Sequence, residues 1–227
     1  MLLTLGVLSA CGDDGKAGEV DAPVAVDAAP CTGGHLIYLN RGGGTYKPGP
    51  DDAIGNTTRI ADGMDRTVPP YPFGDASWTS IKACVEKGLA PFHATVTDVD
   101  PGTKLHHEIV FTTKYWGPQA DLVLSNSAMN CPPAGLPGNG VAFVFAGQIG
   151  DMPDLACEVA LSQLASEISG LDHSLDCHDW LDVFQAPCGE KSYLDAQVMC
   201  GDNGPRACQC GGVSQNSFQT MSVALCR

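Results

Sequence analysis

Gln163–His173 reads QLASEISGLDH, and the fold turns on how this stretch is understood. Leu164 and Ile168 lie one helical turn apart, in phase with Leu155, Val159 and Ala160 upstream. The spacing predicts an amphipathic helix over about Pro153 to Ser169 with that stripe turned inward. Gly170 is its expected stop, because a glycine just past the last periodic residue takes the left-handed turn that other residues resist. Gln163 and Glu167 are also four residues apart and so neighbour each other on the helix surface. His173 follows the glycine by three residues.

Such a helix must lay its apolar stripe on another layer, and the sequence upstream supplies strands. HLIYLNR, His35 to Arg41, is rich in β-formers and apolar enough for a strand. The Gly- and Pro-rich segment after it reads as a loop; Gly42-Gly43-Gly44 lacks a following Gly-Lys-Ser/Thr and reads as a plain turn rather than a phosphate cradle. Asp75 is expected to cap a helix over ASWTSIKACVEKG, with Trp78, Ile81, Cys84 and Val85 on one face and Gly88 as its stop. Strands are then expected at HATVTDV (93–99), HEIVFTT (107–113), DLVLS (121–125) and VAFVFAG (141–147). The last, a nearly continuous apolar run, suits a strand buried on both faces. His106, His107 and Glu108 open one of these strands, where neighbours point to opposite faces, so only one is expected to reach a cleft. Beyond Gly170 the chain is irregular and cysteine-rich until a final amphipathic helix, roughly Ser214 to Leu225. This order implies an α/β (α+β) arrangement with the second helix laid across a twisted sheet.

The N-terminal residues and the cysteines bound the compartment. Met1–Ala10, MLLTLGVLSA, is apolar, too short to span a bilayer, and ends in small residues before Cys11. LSAC resembles a bacterial lipobox, which implies a signal peptide over 1–10 and lipidation of the Cys11 thiol; the missing Lys or Arg before the apolar run departs from the usual layout. Residues 11–30, rich in Ala, Asp, Pro and Gly with nothing to bury, read as a disordered acidic tether. Residues 31–227 have the length of one domain. Ten cysteines remain: Cys31, Cys84, Cys131, Cys157, Cys177, Cys188, Cys200, Cys208, Cys210 and Cys226. An even set in an exported chain reads as a disulfide framework of up to five bridges, with Cys208 and Cys210 in two separate ones rather than in a thiolate metal site. The expected location is the bacterial cell envelope, lipid-anchored, periplasmic or surface-facing. Twelve Lys and Arg against 26 Asp and Glu give a formal net charge of −14. A chain this acidic gains no counterion release on nucleic acid, which excludes DNA and RNA as expected partners.

The order of elements, together with YLNRGGGTYKPG, PFHATVTDVDPG, GLDHSLDC and RACQCGGVSQNS, resembles the metzincin clan of zinc endopeptidases, and more closely the exported metzincin-like lipoproteins of myxobacteria. The resemblance spans most of residues 35–220. It implies a twisted, mostly parallel sheet of four to five strands with two packed helices, then a disulfide-rich irregular part with one helix. The clan's motif is H-E-x-x-H-x-x-G-x-x-H, whose three His bind zinc and whose Glu is the catalytic base. Laid on this chain, Gln163 takes the first His position, Leu164 the catalytic Glu, Glu167 the second His, Gly170 the glycine and His173 the third His. Gln163 offers a poor amide oxygen, Glu167 an anionic one, and Leu164 no base at all. Loss of a general base costs about 10²–10⁴ in rate. The clan's Met-turn has no counterpart beyond Leu181 or Val183 in CHDWLDVF.

Asp172, His173, Asp176, His178 and Asp179 form an acidic run that matches no calcium-loop spacing and is expected to be a solvated face. No Gly-x-Ser-x-Gly is present, and a disulfide context argues against a thiol nucleophile. The expectation is an anchored lipoprotein whose degenerate metzincin-like domain is a non-catalytic binding module for a peptide or another envelope protein, with no cofactor. The alternatives are an active zinc endopeptidase using Glu167, His173 and either Gln163 or His178, and a purely structural envelope protein. If the motif is a remnant, the helix should still end near Gly170, with His173 turned back towards Gln163 and Glu167.

Overall fold

The computed structural model describes residues 34–117, 123–131, 139–182 and 189–225. The expected signal peptide, the tether, and Cys11, Cys31, Cys188, Cys226 and Val183 lie outside them. The described chain is mixed α/β. Its main sheet holds β1 (His35–Asn40), β5 (Ala94–Thr97), β6 (His107–Thr112), β7 (Ser125–Ser127) and β8 (Val141–Phe145) in the order β5-β1-β6-β8-β7. All neighbours are parallel except β7, which runs antiparallel to β8. The helices are α1 (Asp75–Leu89), α2 (Ala146–Ile149), α3 (Pro153–Ser169) and α4 (Ser217–Ala224).

Strand alternation sends the two faces of this sheet to different cores. Ile37, Leu39, Ile109, Phe111 and Val144 face α1 and α3 and join Trp78, Ile81, Val85, Val159, Leu161, Leu164 and Ile168 in the larger one. Val110, Val141, Phe143 and Phe145 face the other way, onto Tyr46, Ala53, Ile60 and Val68. With both faces covered, β6 and β8 are buried along their whole length. A disulfide between Cys84 and Cys157 staples α1 to α3. Cys131–Cys210 and Cys200–Cys208 bind the irregular C-terminal part, so the two cysteines of Cys208-Gln-Cys210 do enter separate bridges. Cys177 is disulfide-bonded as well.

Several boundaries differ from expectation. Gly88 does not stop α1. It lies inside the helix because a Cβ there would come within 2.5 Å of Leu161, so its use is the close approach of α1 to α3. Gly74, not Asp75, is the N-cap; Asp75 is in the first turn, where a carboxylate suits the helix dipole, and it bridges Arg41 at 2.8 Å. The segment read as a loop after β1 carries a three-stranded sheet of β2 (Gly44–Pro48), β3 (Thr57–Thr58) and β4 (Arg66–Val68), order β3-β2-β4. β3 and β4 are two and three residues long and β2 buries only Tyr46, so none shows a hydrophobic period. The strand expected at DLVLS is displaced to Ser125–Ser127, an edge strand without an apolar residue. The last helix begins at Ser217, since Ser214–Gln215 form β10 against β9 (Val198–Met199) and the Asn216 side chain caps the helix by accepting from the Gln219 N–H.

Candidate functional site

The end of α3 is built as the sequence predicts, with Ser169 its last residue and Gly170 its C-cap. Gly170 adopts φ +68, and a Cβ there would lie 2.7 Å from both the Asn130 carbonyl and Cys210 Sγ. The glycine is therefore required twice, by its left-handed backbone and by the Cys131–Cys210 bridge packed against it. The Asn130 side chain donates to the Glu167 carbonyl at 2.8 Å and so satisfies one of the open carbonyls of the helix end.

Of the motif positions, Leu164 is fully buried among apolar side chains. Glu167 turns towards the sheet, where its Oε2 lies 3.0 Å from His107 Nδ1 on β6; the two side chains are 1 % and 2 % exposed. Gly140 closes over the carboxylate so tightly that a Cβ there would sit 1.3 Å from Glu167 Oε1. Gln163 is buried on the same helix. His173 pairs with Asp202, its Nδ1 2.6 Å from Asp202 Oδ1.

His173 and Asp202 belong to a network centred on Arg206. The guanidinium bonds both oxygens of Asp172, at 2.8 Å through Nη2, and reaches Asp202 at 3.3 Å. Burial pushes Asp172 up, but Arg206 and the Gln209 and His173 backbone N–H groups outweigh it and hold its carboxyl below the usual range. Asp202 is likewise lifted by burial and lowered further by His173 and Arg206. The acidic run is thus not one solvated face. Asp176 pairs with His178, while Asp179 is buried, bonded to Ser217 and the Leu181 N–H. Among the described residues, Asp176, Cys177 and His178 are the only three His, Cys, Asp or Glu side chains with ligand atoms within 4.8 Å of one another. Cys177 is disulfide-bonded, so it brings no thiolate. No such set contains Glu167 or His173.

The opposite face of the sheet carries a second constellation. Glu108 is 3 % exposed. Its Oε1 accepts from Asn40 Nδ2 at 2.8 Å and from the Tyr46 hydroxyl at 2.9 Å. Its Oε2, also buried, has no hydrogen-bond partner among the described residues. Desolvation by burial pushes this carboxyl up to about 7, against the lowering effect of Asn40 and Tyr46. Burial and the Glu108 charge also raise the Tyr46 phenol well above its ordinary value. Glu108 lines a polar cleft of about 380 Å³ with Tyr38, Asn40, Asp100 and His106. His106 and Glu108, two residues apart, thus share the cleft face while His107 faces α3; the expectation that only one of the three reaches a cleft is corrected to two by the same alternation. A second cleft of about 510 Å³ lies beside the end of α1, lined by Phe92, Trp180, Tyr193 and Phe218 among others. Gln163, Leu164, Glu167 and His173 line neither.

Sequence reasoning missed His107 as the partner of Glu167, and Arg206 and Asp202 as those of Asp172 and His173. These pairs join residues 29 to 60 apart in the chain, and no local pattern announces them. The Glu108 cleft had one local signal, the alternation in HHE. Comparison with family models, curated proteins and solved structures finds no match to this chain.

Proposed function

We propose that this chain is an exported, lipid-anchored, metzincin-like domain that has no peptidase chemistry and serves as a binding module for a peptide or another component of the bacterial envelope. One observation carries the reading: the position matching the catalytic base is Leu164, fully buried in the apolar core, and the neighbouring motif carboxylate, Glu167, is committed to His107. An aliphatic side chain has no proton to exchange, and the Glu167 carboxylate is closed in by Gly140 with its Oε2 held by His107. The resemblance to the metzincin clan draws support from the mostly parallel five-stranded sheet with α1 and α3 on one face, the glycine turn at Gly170, and a disulfide-bound irregular part ending in one helix. The bridges suit an oxidising compartment and thus export.

The test is cleavage of a broad peptide library by the purified oxidised protein, with and without added zinc and with a chelator. The expected result is no chelator-sensitive cleavage under any condition. Cleavage that requires zinc and disappears in His173→Ala would replace this reading with that of an active endopeptidase using an atypical ligand set.

A further inference from the structure

We propose that the cleft lined by Tyr38, Asn40, Asp100, His106 and Glu108 binds a cationic hydrogen-bond donor, an alkylammonium or guanidinium group, on the free Oε2 of Glu108. The inference goes beyond the reading of α3 and does not depend on it, because the cleft lies on the opposite face of the sheet.

Two donors converge on Glu108 Oε1, and Oε2 is left buried and unpaired. A buried acceptor without a partner is costly, so a ligand that supplies the missing donor recovers that cost on binding. The lining selects the ligand's charge. Among the described residues it contains no Lys or Arg, while Asp100 stands exposed at the rim. An anion would meet two carboxyls and no cation. A divalent metal fits poorly as well: calcium seeks six to eight oxygens, Glu108 has one to give, and no set of three His, Cys, Asp or Glu ligand atoms gathers here. A single unpaired oxygen on a cleft-lining carboxylate matches an N–H donor with a positive charge. Ile54, 37 % exposed, and Ala53 provide an apolar wall for an alkyl stem.

Binding such a group should favour the ionised form of Glu108 and so strengthen as pH rises. The other titratable groups facing Glu108 are Tyr38 on β1, Tyr46 on β2, and Asp100 and His106 on the connection from β5 to β6; β8 presents Val141 opposite it and adds none.

The experiment titrates the full-length oxidised protein with n-propylammonium, n-propylguanidinium and, as a neutral control, n-propanol, followed by NMR shifts. Saturable binding of a cation, with Kd on the order of a millimolar, is expected, and none of propanol. Affinity should rise about tenfold from pH 6 to pH 8, following ionisation of a carboxyl near 7. The pH effect should vanish in Glu108→Gln and persist in His106→Ala. Thr103→Trp, at an exposed rim position, should block binding without altering the thermal midpoint. A capped Gly-Lys-Gly peptide binding tenfold tighter than propylammonium would identify a peptide side chain as the source, and equal affinity a small amine; both sustain the proposal. Undiminished binding in folded Glu108→Gln, or saturable binding of Ca²⁺ with none of either organic cation, would overturn it.

Discussion

Replacing Glu167 by alanine isolates what its buried pair with His107 contributes to stability. In the folded protein His107 would keep its place, 2 % exposed, but lose the 3.0 Å bond at Nδ1; its Nε2 already has no partner among the described residues. The substitution leaves a buried imidazole with neither nitrogen paired. Breaking one member out of a buried pair costs about 3–5 kcal/mol, against a total stability of about 5–15 kcal/mol for a domain. At about 2–4 °C per kcal/mol for a chain of this size, the thermal midpoint should fall by about 6–20 °C. The reverse change, His107→Ala, strands the carboxylate and should cost a similar amount. His107→Leu combined with Glu167→Leu removes both polar groups, and should recover to within about 1.5 kcal/mol of the parent. Urea unfolding of the oxidised proteins, with m-values compared to exclude a change in the denatured state, reads all of these. The reasoning is refuted if either single change costs less than about 1 kcal/mol, or if EDTA alone lowers the parent protein's stability by as much as Glu167→Ala does.

Three further outcomes follow from the geometry. Gly140→Ala should cost at least about 2 kcal/mol by overpacking, since its Cβ would sit 1.3 Å from Glu167 Oε1; Glu167→Ala should relieve part of that loss, giving a non-additive double mutant in a thermal melt. Cys84→Ser with Cys157→Ser opens a bridge of sequence separation 73 and should cost about 4 kcal/mol; thiol counting on the denatured, unreduced parent should find none at Cys84, Cys131, Cys157, Cys177, Cys200, Cys208 or Cys210. Burial raises Glu108 and Asp179 to about 7 from ordinary values of 4.5 and 3.8, so the folded protein holds protons that the unfolded chain has released. Their contribution is complete below about pH 4, falls as pH rises and is gone above about pH 7, a loss of about 3 kcal/mol for Glu108 and about 4 kcal/mol for Asp179. Melting curves between pH 5 and pH 8 should decline accordingly, and Glu108→Gln or Asp179→Asn should flatten them.

The main sheet and the long helices were legible in the sequence because each long element carries its own period. Leu155 to Ile168 repeat at helical spacing, and VAFVF has the unbroken apolar run of a strand covered on both faces. The small sheet over 44–68 was not, because β3 and β4 have two and three residues and β2 buries Tyr46 alone, so pairing rather than pattern defines it. Gly88 misled for a related reason: a helix-stop glycine and a helix-contact glycine look alike until Leu161 is placed against it. At the end of α3, the lack of a base at residue 164 could be read directly, since Leu164 cannot be a base in any fold. What Glu167 does instead could not, because His107 lies sixty residues away and on a different element.

The most direct test of the central claim is the zinc content of the purified, unmodified protein after dialysis against a slight excess of zinc. The buried Leu164 and the Glu167–His107 pair predict much less than one equivalent retained, with a thermal midpoint unchanged by EDTA. One equivalent of zinc, lost in both Glu167→Gln and His173→Ala, would contradict the account.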